Sequence, residues 1–160
     1  MSTQESPSSI GLTVDVAQLA DHVGAELGHT EWREMTQERV NQFADVTDDH
    51  NPIHVDPDFA KGTPFGGTIA HGFLTLSMLA PISQGLLNVT GATASINYGT
   101  DKVRFPAPLP VGSRVRMRAA IASVEDVPGG IQMATALTFE TEGGAKPVCV
   151  AETLVRLYTG

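Results

Sequence analysis

The 160-residue sequence contains a single cysteine, Cys149, and so cannot form an intramolecular disulfide. It therefore carries no sign of an oxidising compartment, where small domains are commonly cross-linked. No apolar run reaches the roughly 18 positions that a membrane-spanning helix requires. The polar N-terminus also lacks the apolar segment of a secretory signal peptide. These absences predict a cytoplasmic protein with no membrane partner.

Positive charge is scarce as well. The chain has 10 Lys and Arg residues against 18 Asp and Glu residues, a formal net charge of -8. Non-specific binding to nucleic acid needs clustered cations that neutralise phosphates, so we expect no nucleic-acid partner. An anionic small ligand is still compatible with this composition, because a few local cations suffice to bind it.

The length and the 41% hydrophobic content fit one domain with a single core. Residues 1–12 are rich in Ser, Gln, Glu and Pro and are predicted to form a disordered tail. Residues 13–160 are predicted to form the single folded domain.

Local signals predict three helical segments in the first part of the chain. Apolar spacing from Val14 to Val23 predicts a short helix, and Thr36 is a suitable N-cap for a second one. Asp56-Pro57 is typical of the N-cap and first residue of a further helical turn.

The middle of the chain is more apolar. From residue 69 to residue 87 apolar side chains occupy nearly every face, which predicts a long helix buried all round, kinked or ended early by Pro81. Apolar and polar residues then alternate, and Gly-rich turns separate residues 131–141 from residues 148–158, which predicts an antiparallel meander. Helices before strands indicate an α+β fold in which an antiparallel β-sheet wraps around the long helix.

Polar residues cluster in the turn DDHNPIHVD. Pro52 breaks any helix there, so the turn can fold back and bring Asp49 and His54 to the same small volume. A carboxylate and an imidazole that share one water form a general acid/base pair able to work near neutral pH. In the alternative interpretation, Asp49 only caps the turn and His54 only satisfies a buried backbone group.

Other chemistries fit this sequence less well. His50 and His54 are four residues apart, but they would share one face only on a continuous helix, and Pro52 lies between them. We therefore expect no metal. Three possible nucleophiles lie in a predicted strand or lack a neighbouring base in sequence: Cys149, Ser77 and Ser83.

A second feature begins at His71-Gly72, where a Gly-rich loop meets the long apolar segment. Free N–H groups at a helix start carry partial positive charge, so the Gly72 N–H could donate to a developing oxyanion. Glycine would also let a ligand approach the backbone closely. Alternatively, the helix start only needs a small residue for packing.

Three segments together resemble one enzyme family. DHNPIHVDPDFA resembles the D-x-N-P-[LIV]-H signature of the MaoC-like, R-specific enoyl-CoA hydratases. His71-Gly72 before an apolar helix is similar to the second landmark of that family. NYGTDKVRFPAPLPVGSRVR resembles the strand-loop-strand of a bacterial subgroup that includes nodulation protein N-like dehydratases. The resemblance implies a single hot-dog fold, in which an antiparallel sheet wraps a long central helix, usually as a homodimer.

The resemblance also implies a reaction, the reversible syn hydration of a trans-2-enoyl-CoA to an (R)-3-hydroxyacyl-CoA. Asp49 and His54 match the pair that holds and activates the water, and we assign the role of base to both. Asn51 matches the asparagine that shapes the turn, and Gly72 matches the glycine whose N–H polarises the thioester carbonyl. Some members have a serine where this chain has Ala80, which puts one supporting hydrogen bond in doubt.

The predicted substrate-binding residues are Asn51, His71, Lys102 and Arg104, the two cations being candidates for contact with coenzyme A phosphates. No cofactor is expected, because the substrate itself carries coenzyme A. Two alternatives remain open on the same fold: an acyl-CoA thioesterase, and a non-catalytic module that binds acyl thioesters.

Overall fold

The protein is described by a computed structural model that covers residues 11–80 and 82–160. Its strands are Leu12–Asp15 (β1), Glu26–His29 (β2), Arg33–Glu34 (β3), Leu87–Thr90 (β4), Ala94–Arg104 (β5), Arg114–Val127 (β6), Gly130–Thr141 (β7) and Cys149–Tyr158 (β8). Its helices are Gln37–Thr47 (α1), Pro52–Val55 (α2), Pro57–Lys61 (α3) and Gly72–Ser77 (α4), with a 3-10 helix at Val16–His22 and a π-helical turn at Ile82–Leu86.

The main sheet is antiparallel, with strand order β2-β6-β7-β8-β5 and with β3 paired to β6. The predicted meander of β6, β7 and β8 is confirmed. Gly129 adopts a φ of 84° at the first turn, a left-handed conformation that glycine takes without steric cost. A separate parallel pair joins β1 to β4.

Strand β6 shows how period-2 patterning forms the core. Its apolar residues are almost completely buried, namely Val115, Met117, Ala119 and Ile121. The arginines between them lie on the other face, where Arg116 pairs with Glu140 at 2.7 Å and Arg114 pairs with Glu142 at 3.2 Å. This outward orientation is the one the alternation predicts.

Helix α1 begins where its cap predicts. The Thr36 hydroxyl accepts a hydrogen bond from the Arg39 N–H at 3.2 Å, and Val40 and Ala44 are fully buried against the core. The helix ends at Asp48, a non-glycine residue in the left-handed conformation with φ 58°. Helix α1 thus delivers the chain to the polar turn.

The long helix predicted for residues 69–87 is wrong in its extent. Within the described residues, α4 spans only Gly72–Ser77, a turn follows, and helical structure resumes as the π-helical turn. Pro81, which is predicted to kink that helix or end it early, lies outside the described residues. Phe73 is 69% exposed, so α4 is buried on one face and open on the other. Apolar residues on every face of this segment thus did not lead to burial of every face in the isolated chain.

The N-terminal segment also differs from its prediction. Val14 belongs to β1, and the helical part is a 3-10 helix that begins after Asp15, whose carboxylate accepts from the Ala17 N–H at 2.9 Å. Pairing of β1 with β4 overrides the helical spacing there. Residues 1–10 of the predicted tail lie outside the described residues, while Leu12 begins β1.

Cys149 is fully buried at the start of β8, and burial raises the pKa of its thiol to about 11. It is therefore a packing residue and not a nucleophile. Among the helices of the described chain, none has the length and apolarity needed to cross a membrane.

Candidate functional site

The polar turn is built by local capping. Asn51 is the N-cap of α2, where its side-chain oxygen accepts from the Ile53 N–H at 3.3 Å and Pro52 occupies the first helical position. The Asp49 carboxylate accepts from the Asn51 N–H at 3.4 Å. These short-range bonds present Asp49 and His54 on either side of a compact turn.

His54 is buried, and its Nδ1 lies 2.7 Å from the main-chain oxygen of Ile69. A carbonyl oxygen can only accept, so Nδ1 carries the hydrogen and Nε2 keeps its lone pair. The pKa of His54 is lowered from 6.5, first by burial and also by the nearby His71, although the Ile69 carbonyl and Asp49 act in the opposite direction. At neutral pH the ring is therefore a neutral imidazole that can accept a proton.

A second histidine completes the cluster. His71 is 2% exposed, and its ring stacks on that of His54 with centroids 3.8 Å apart and an interplanar angle of 27°. Its Nε2 lies 2.9 Å from the main-chain oxygen of Asp49 and 3.9 Å from the Asp49 carboxylate. The chain therefore brings together residues 49, 54 and 71 from two separate segments.

Asp49 and His54 lie close together, with polar atoms no more than 4.8 Å apart. One ligand atom from each of Asp49, His54 and His71 lies within 4.8 Å of the others, yet no hydrogen bond or ion pair joins Asp49 directly to His54 among the described contacts. A polar separation of this size is one that a single bridging water spans. Asp49 is 55% exposed, so water can reach the gap from solvent.

Gly72 and His54 line the same cavity, of about 300 Å3. Gly72 opens α4, and within the described part of the chain its N–H has no hydrogen-bond acceptor. A Cβ added at Gly72 would lie 2.9 Å from the Phe105 ring, so a side chain there would force that ring to shift. A donor, a base and an apolar wall thus meet in one small space.

The remaining predicted residues do not line this cavity. Asn51 shapes the turn, as described. Lys102 is paired with Glu152 at 3.4 Å, and the Arg104 guanidinium donates to the main-chain oxygen of Val103 at 2.7 Å. Neither cation lines the cavity, so their contact with substrate stays a prediction.

His50 and Asp48 take no part in the cluster. His50 Nε2 lies 2.8 Å from the Asp45 carboxylate, and Asp48 forms the left-handed end of α1. The histidine that joins His54 is His71, which sequence spacing did not pair with it. The expected absence of a metal stays a prediction, because the three potential ligand atoms lie close together.

Sequence reasoning missed two parts of the site. The cavity wall includes Phe105 and the Pro-rich segment that follows it, residues 106–109, which the sequence did not connect with the site. Gln37 donates to the main-chain oxygen of His54 at 2.7 Å and accepts from the Thr68 hydroxyl at 2.6 Å. No local signal points to Gln37, because its partners are 17 and 31 residues away.

A larger cavity of about 570 Å3 lies elsewhere, between Leu79, Ala80 and strands β4, β5, β7 and β8. Among the described residues that line this larger cavity there is no acid or base, whereas His54 lines the smaller one.

Comparison with known proteins decides the family. A model described as the MaoC like domain matches residues 18–142. The chain belongs to the MaoC-like family. It is accordingly an enzyme of the MaoC dehydratase family, a hydratase or dehydratase that acts on thioester substrates.

Two relatives cover almost the same length as this MaoC-like chain. The 3-hydroxyacyl-thioester dehydratase Z of Mycobacterium tuberculosis is 52% identical over 142 residues, which are 88% of this chain and 94% of the relative. Nodulation protein N of Rhizobium leguminosarum bv. viciae is 40% identical over 141 residues, 86% of this chain and 88% of the relative.

A solved relative gives the fold. The (R)-hydratase from A. caviae involved in PHA biosynthesis superposes with a TM-score of 0.70 at 28% identity, covering 84% of this chain and 96% of that one. The predicted hot-dog fold is therefore confirmed, together with the predicted family.

Proposed function

We propose that this protein catalyses the reversible syn hydration of a trans-2-enoyl-CoA to an (R)-3-hydroxyacyl-CoA. The observation that carries the proposal is the short separation, at most 4.8 Å, between polar atoms of Asp49 and His54, together with the cavity that His54 and Gly72 both line. Hydration needs these three elements: a held water, a proton acceptor and a donor to the carbonyl.

In this mechanism, the substrate carbonyl oxygen accepts a hydrogen bond from the Gly72 N–H. That bond draws electron density from the conjugated double bond, so C3 becomes open to attack. The water between Asp49 and His54 gives its hydroxyl to C3 and one proton to the pair. The pair returns that proton to C2 on the same face, and no atom is left over. Dehydration is the same path in reverse.

His54 is suited to this role by its hydrogen bond to Ile69. Because Nδ1–H is held by the Ile69 carbonyl, the lone pair on Nε2 remains for the water. Capping and catalysis are compatible for Asp49, which accepts from the Asn51 N–H with one oxygen and keeps its other oxygen available. The structural role and the proposed catalytic role of each residue are therefore compatible: Asp49 can cap the turn and His54 can bind a main-chain oxygen while both also bind the water.

The names of two relatives support the proposed substrate class and the proposed (R) configuration of the product. The mycobacterial relative is named for 3-hydroxyacyl thioesters, and the solved relative is named an (R)-hydratase. On the basis of the sequence, we also propose that coenzyme A is the acyl carrier and that its phosphates contact Lys102 and Arg104. The cytoplasmic location also stays a prediction.

The deciding experiment measures loss of the conjugated thioester absorbance when purified protein is mixed with crotonyl-CoA, followed by chiral analysis of the product. Asp49→Asn and His54→Gln should each reduce kcat by about 100-fold or more. The neighbouring variants Asp48→Asn and His50→Gln are matched controls and should retain activity, because neither residue joins the cluster.

Three outcomes would contradict the proposal. Full activity in both Asp49→Asn and His54→Gln would exclude these two residues as the acid/base pair. Release of free thiol without loss of the double bond would identify a thioesterase instead. Binding of acyl-CoA that survives Asp49→Asn, with no turnover at any enoyl chain length, would identify a non-catalytic module.

We further propose that the enzyme acts as a homodimer. Strand β5 is at the edge of the sheet, and nearly all of its 11 residues are exposed, including Ile96 and Tyr98. A long exposed edge strand is available for pairing with another chain. Sedimentation equilibrium should give twice the 16.9 kDa chain mass, and a monomer at assay concentration would refute the dimer.

A further inference from the structure

His71 makes three contacts that none of the assigned roles uses. It stacks on His54, it packs against Phe43 with ring centroids 4.9 Å apart, and its Nε2 lies 2.9 Å from the main-chain oxygen of Asp49. Although it occupies the N-cap position of α4, its side chain forms no capping hydrogen bond. The ring is directed away from its own helix and into the turn that carries the acid/base pair.

The Asp49 contact fixes the direction of the hydrogen bond. The Asp49 carbonyl can only accept, so His71 donates from Nε2–H. The other ring nitrogen, Nδ1, is buried and has no partner among the described residues. A buried histidine that leaves one nitrogen unsatisfied loses free energy there, so some other requirement keeps it in place.

The two segments that His71 connects indicate what this requirement is. The Asp49 end of the turn follows a left-handed residue and is otherwise held by short-range bonds. The His54 end is already tied to distant residues, through bonds to Ile69 and Gln37. The bond from His71 ties this turn to a segment 22 residues later in the chain, at the residue next to Gly72. One side chain therefore touches both members of the pair and is adjacent to the predicted carbonyl donor.

His71 is also poorly placed to contact substrate. It is 2% exposed, so its ring offers almost no surface to a ligand, whereas Asp49 is 55% exposed. This burial favours a role for His71 that needs no contact with substrate, while the substrate-binding role that the sequence predicted for it stays a prediction.

We propose that His71 is a positioning residue, which sets the distance between the Asp49 carboxylate and the His54 ring by donating to the Asp49 main chain and stacking on His54. The inference rests on the proposed function for its kinetic consequence. Misplacement of a reacting group by about 1 Å can cost on the order of 100-fold in rate, so a residue that holds this distance matters without touching substrate.

The kinetic test uses two substitutions. His71→Phe keeps a ring for stacking and removes the donor, whereas His71→Gln keeps an N–H at a similar reach. His71→Phe should reduce kcat for crotonyl-CoA hydration by about 10- to 100-fold with little change in KM. His71→Gln should recover most of that loss. His50→Phe, on the same turn, is the matched control and should retain activity.

A double-mutant cycle sharpens the test. In a His54→Gln background, His71→Phe should cost far less than it does in the wild-type protein, because the pair it positions is already broken. Two results overturn the proposal: a raised KM with unchanged kcat, which indicates direct substrate contact, or costs that add fully in the double variant.

A measurement without substrate separates this inference from the hydratase assignment. Amide hydrogen exchange should become faster at Asn51 and Ile53 in His71→Phe, since the turn loses its tie, while exchange at the buried Val40 of α1 stays the same. His71→Gln should restore slow exchange. Unchanged exchange at Asn51 and Ile53 in a folded His71→Phe protein would overturn the positioning role, even if crotonyl-CoA were hydrated normally.

Discussion

The side-chain amide of Gln37 donates to the main-chain oxygen of His54 at 2.7 Å. The same side chain accepts from the Thr68 hydroxyl at 2.6 Å, so it links the start of α1 to α2 and to the loop before α4. Gln37 does not touch the reacting atoms in the proposed mechanism. It holds the backbone of the residue that does.

Replacing Gln37 should therefore weaken both stability and activity. Gln37→Ala leaves the His54 carbonyl and the Thr68 hydroxyl without this partner in a partly buried place, which should lower the free energy of unfolding by about 1–2 kcal/mol. Crotonyl-CoA turnover should also fall. Gln42→Ala on the same helix is the control, because among the described residues the Gln42 side chain donates only to the exposed Glu38 carboxylate, at 3.3 Å. Equal stability of the two variants in urea denaturation would contradict this role.

Gly72 should not tolerate even a methyl group. In Gly72→Ala the new Cβ would lie 2.9 Å from the Phe105 ring, so the ring must shift within the cavity that it lines. We expect kcat/KM for crotonyl-CoA to fall by at least about tenfold. Gly67→Ala, at a position with no atom within 4 Å of an added Cβ, should have little effect. Equal activity in both variants would show that the cavity wall is not critical at Gly72.

His54 should make stability depend on pH. Its folded-state pKa lies below the unfolded value of 6.5, so between these two values the unfolded chain binds more protons. The stability contributed by neutral His54 is complete above pH 6.5 and is lost as pH falls through that value toward the folded pKa. Burial disfavours protonation of the His54 ring. Of the titratable groups that face it, His71 also lowers its pKa, whereas Asp49 raises it.

Urea denaturation between about pH 8 and about pH 5 measures this effect. His54→Gln should reduce the loss of stability on the acid side, whereas replacement of the exposed His29 by Gln should not. An unchanged acid slope in His54→Gln would contradict the lowered pKa.

Chelation tests the expected absence of a metal. Asp49, His54 and His71 offer ligand atoms within 4.8 Å of one another, but one nitrogen of each histidine already donates to a main-chain oxygen. We expect EDTA treatment followed by gel filtration to leave hydration of crotonyl-CoA unchanged. Loss of activity that Zn2+ restores would instead identify these three residues as metal ligands.

Cys149 should be inert in the folded protein. Its thiol is fully buried, and burial raises its pKa to about 11, so almost no thiolate is present near neutral pH. A disulfide reagent such as DTNB should react slowly with native protein and quickly in urea. Cys149→Ser, which removes the one thiol of the chain, gives the baseline. Fast reaction of the native protein would show that β8 opens at this end.

Helix and strand positions were predictable wherever the signal is local. The Thr36 cap, the Asp56-Pro57 helix start and the alternation along β6 depend on neighbours within a few residues, and the structure confirms each of them. The N-terminal segment failed because β1 pairs with β4, some 75 residues later, and pairing outweighs helical spacing. The prediction of a long apolar helix failed because an apolar composition shows which residues favour burial but not which part of the chain packs against them.

The sequence by itself determined the local path of the turn from Asp49 to Ile53, since the capping bonds there join residues two positions apart. It also determined the family, through motifs that cover most of the domain. Only the tertiary structure decided that His71 stacks on His54, that Gln37 holds the His54 backbone and that Phe105 closes the space beside Gly72. These contacts join residues 17 to 33 positions apart, so they exist only once the sheet and α1 have fixed the path of the chain between them.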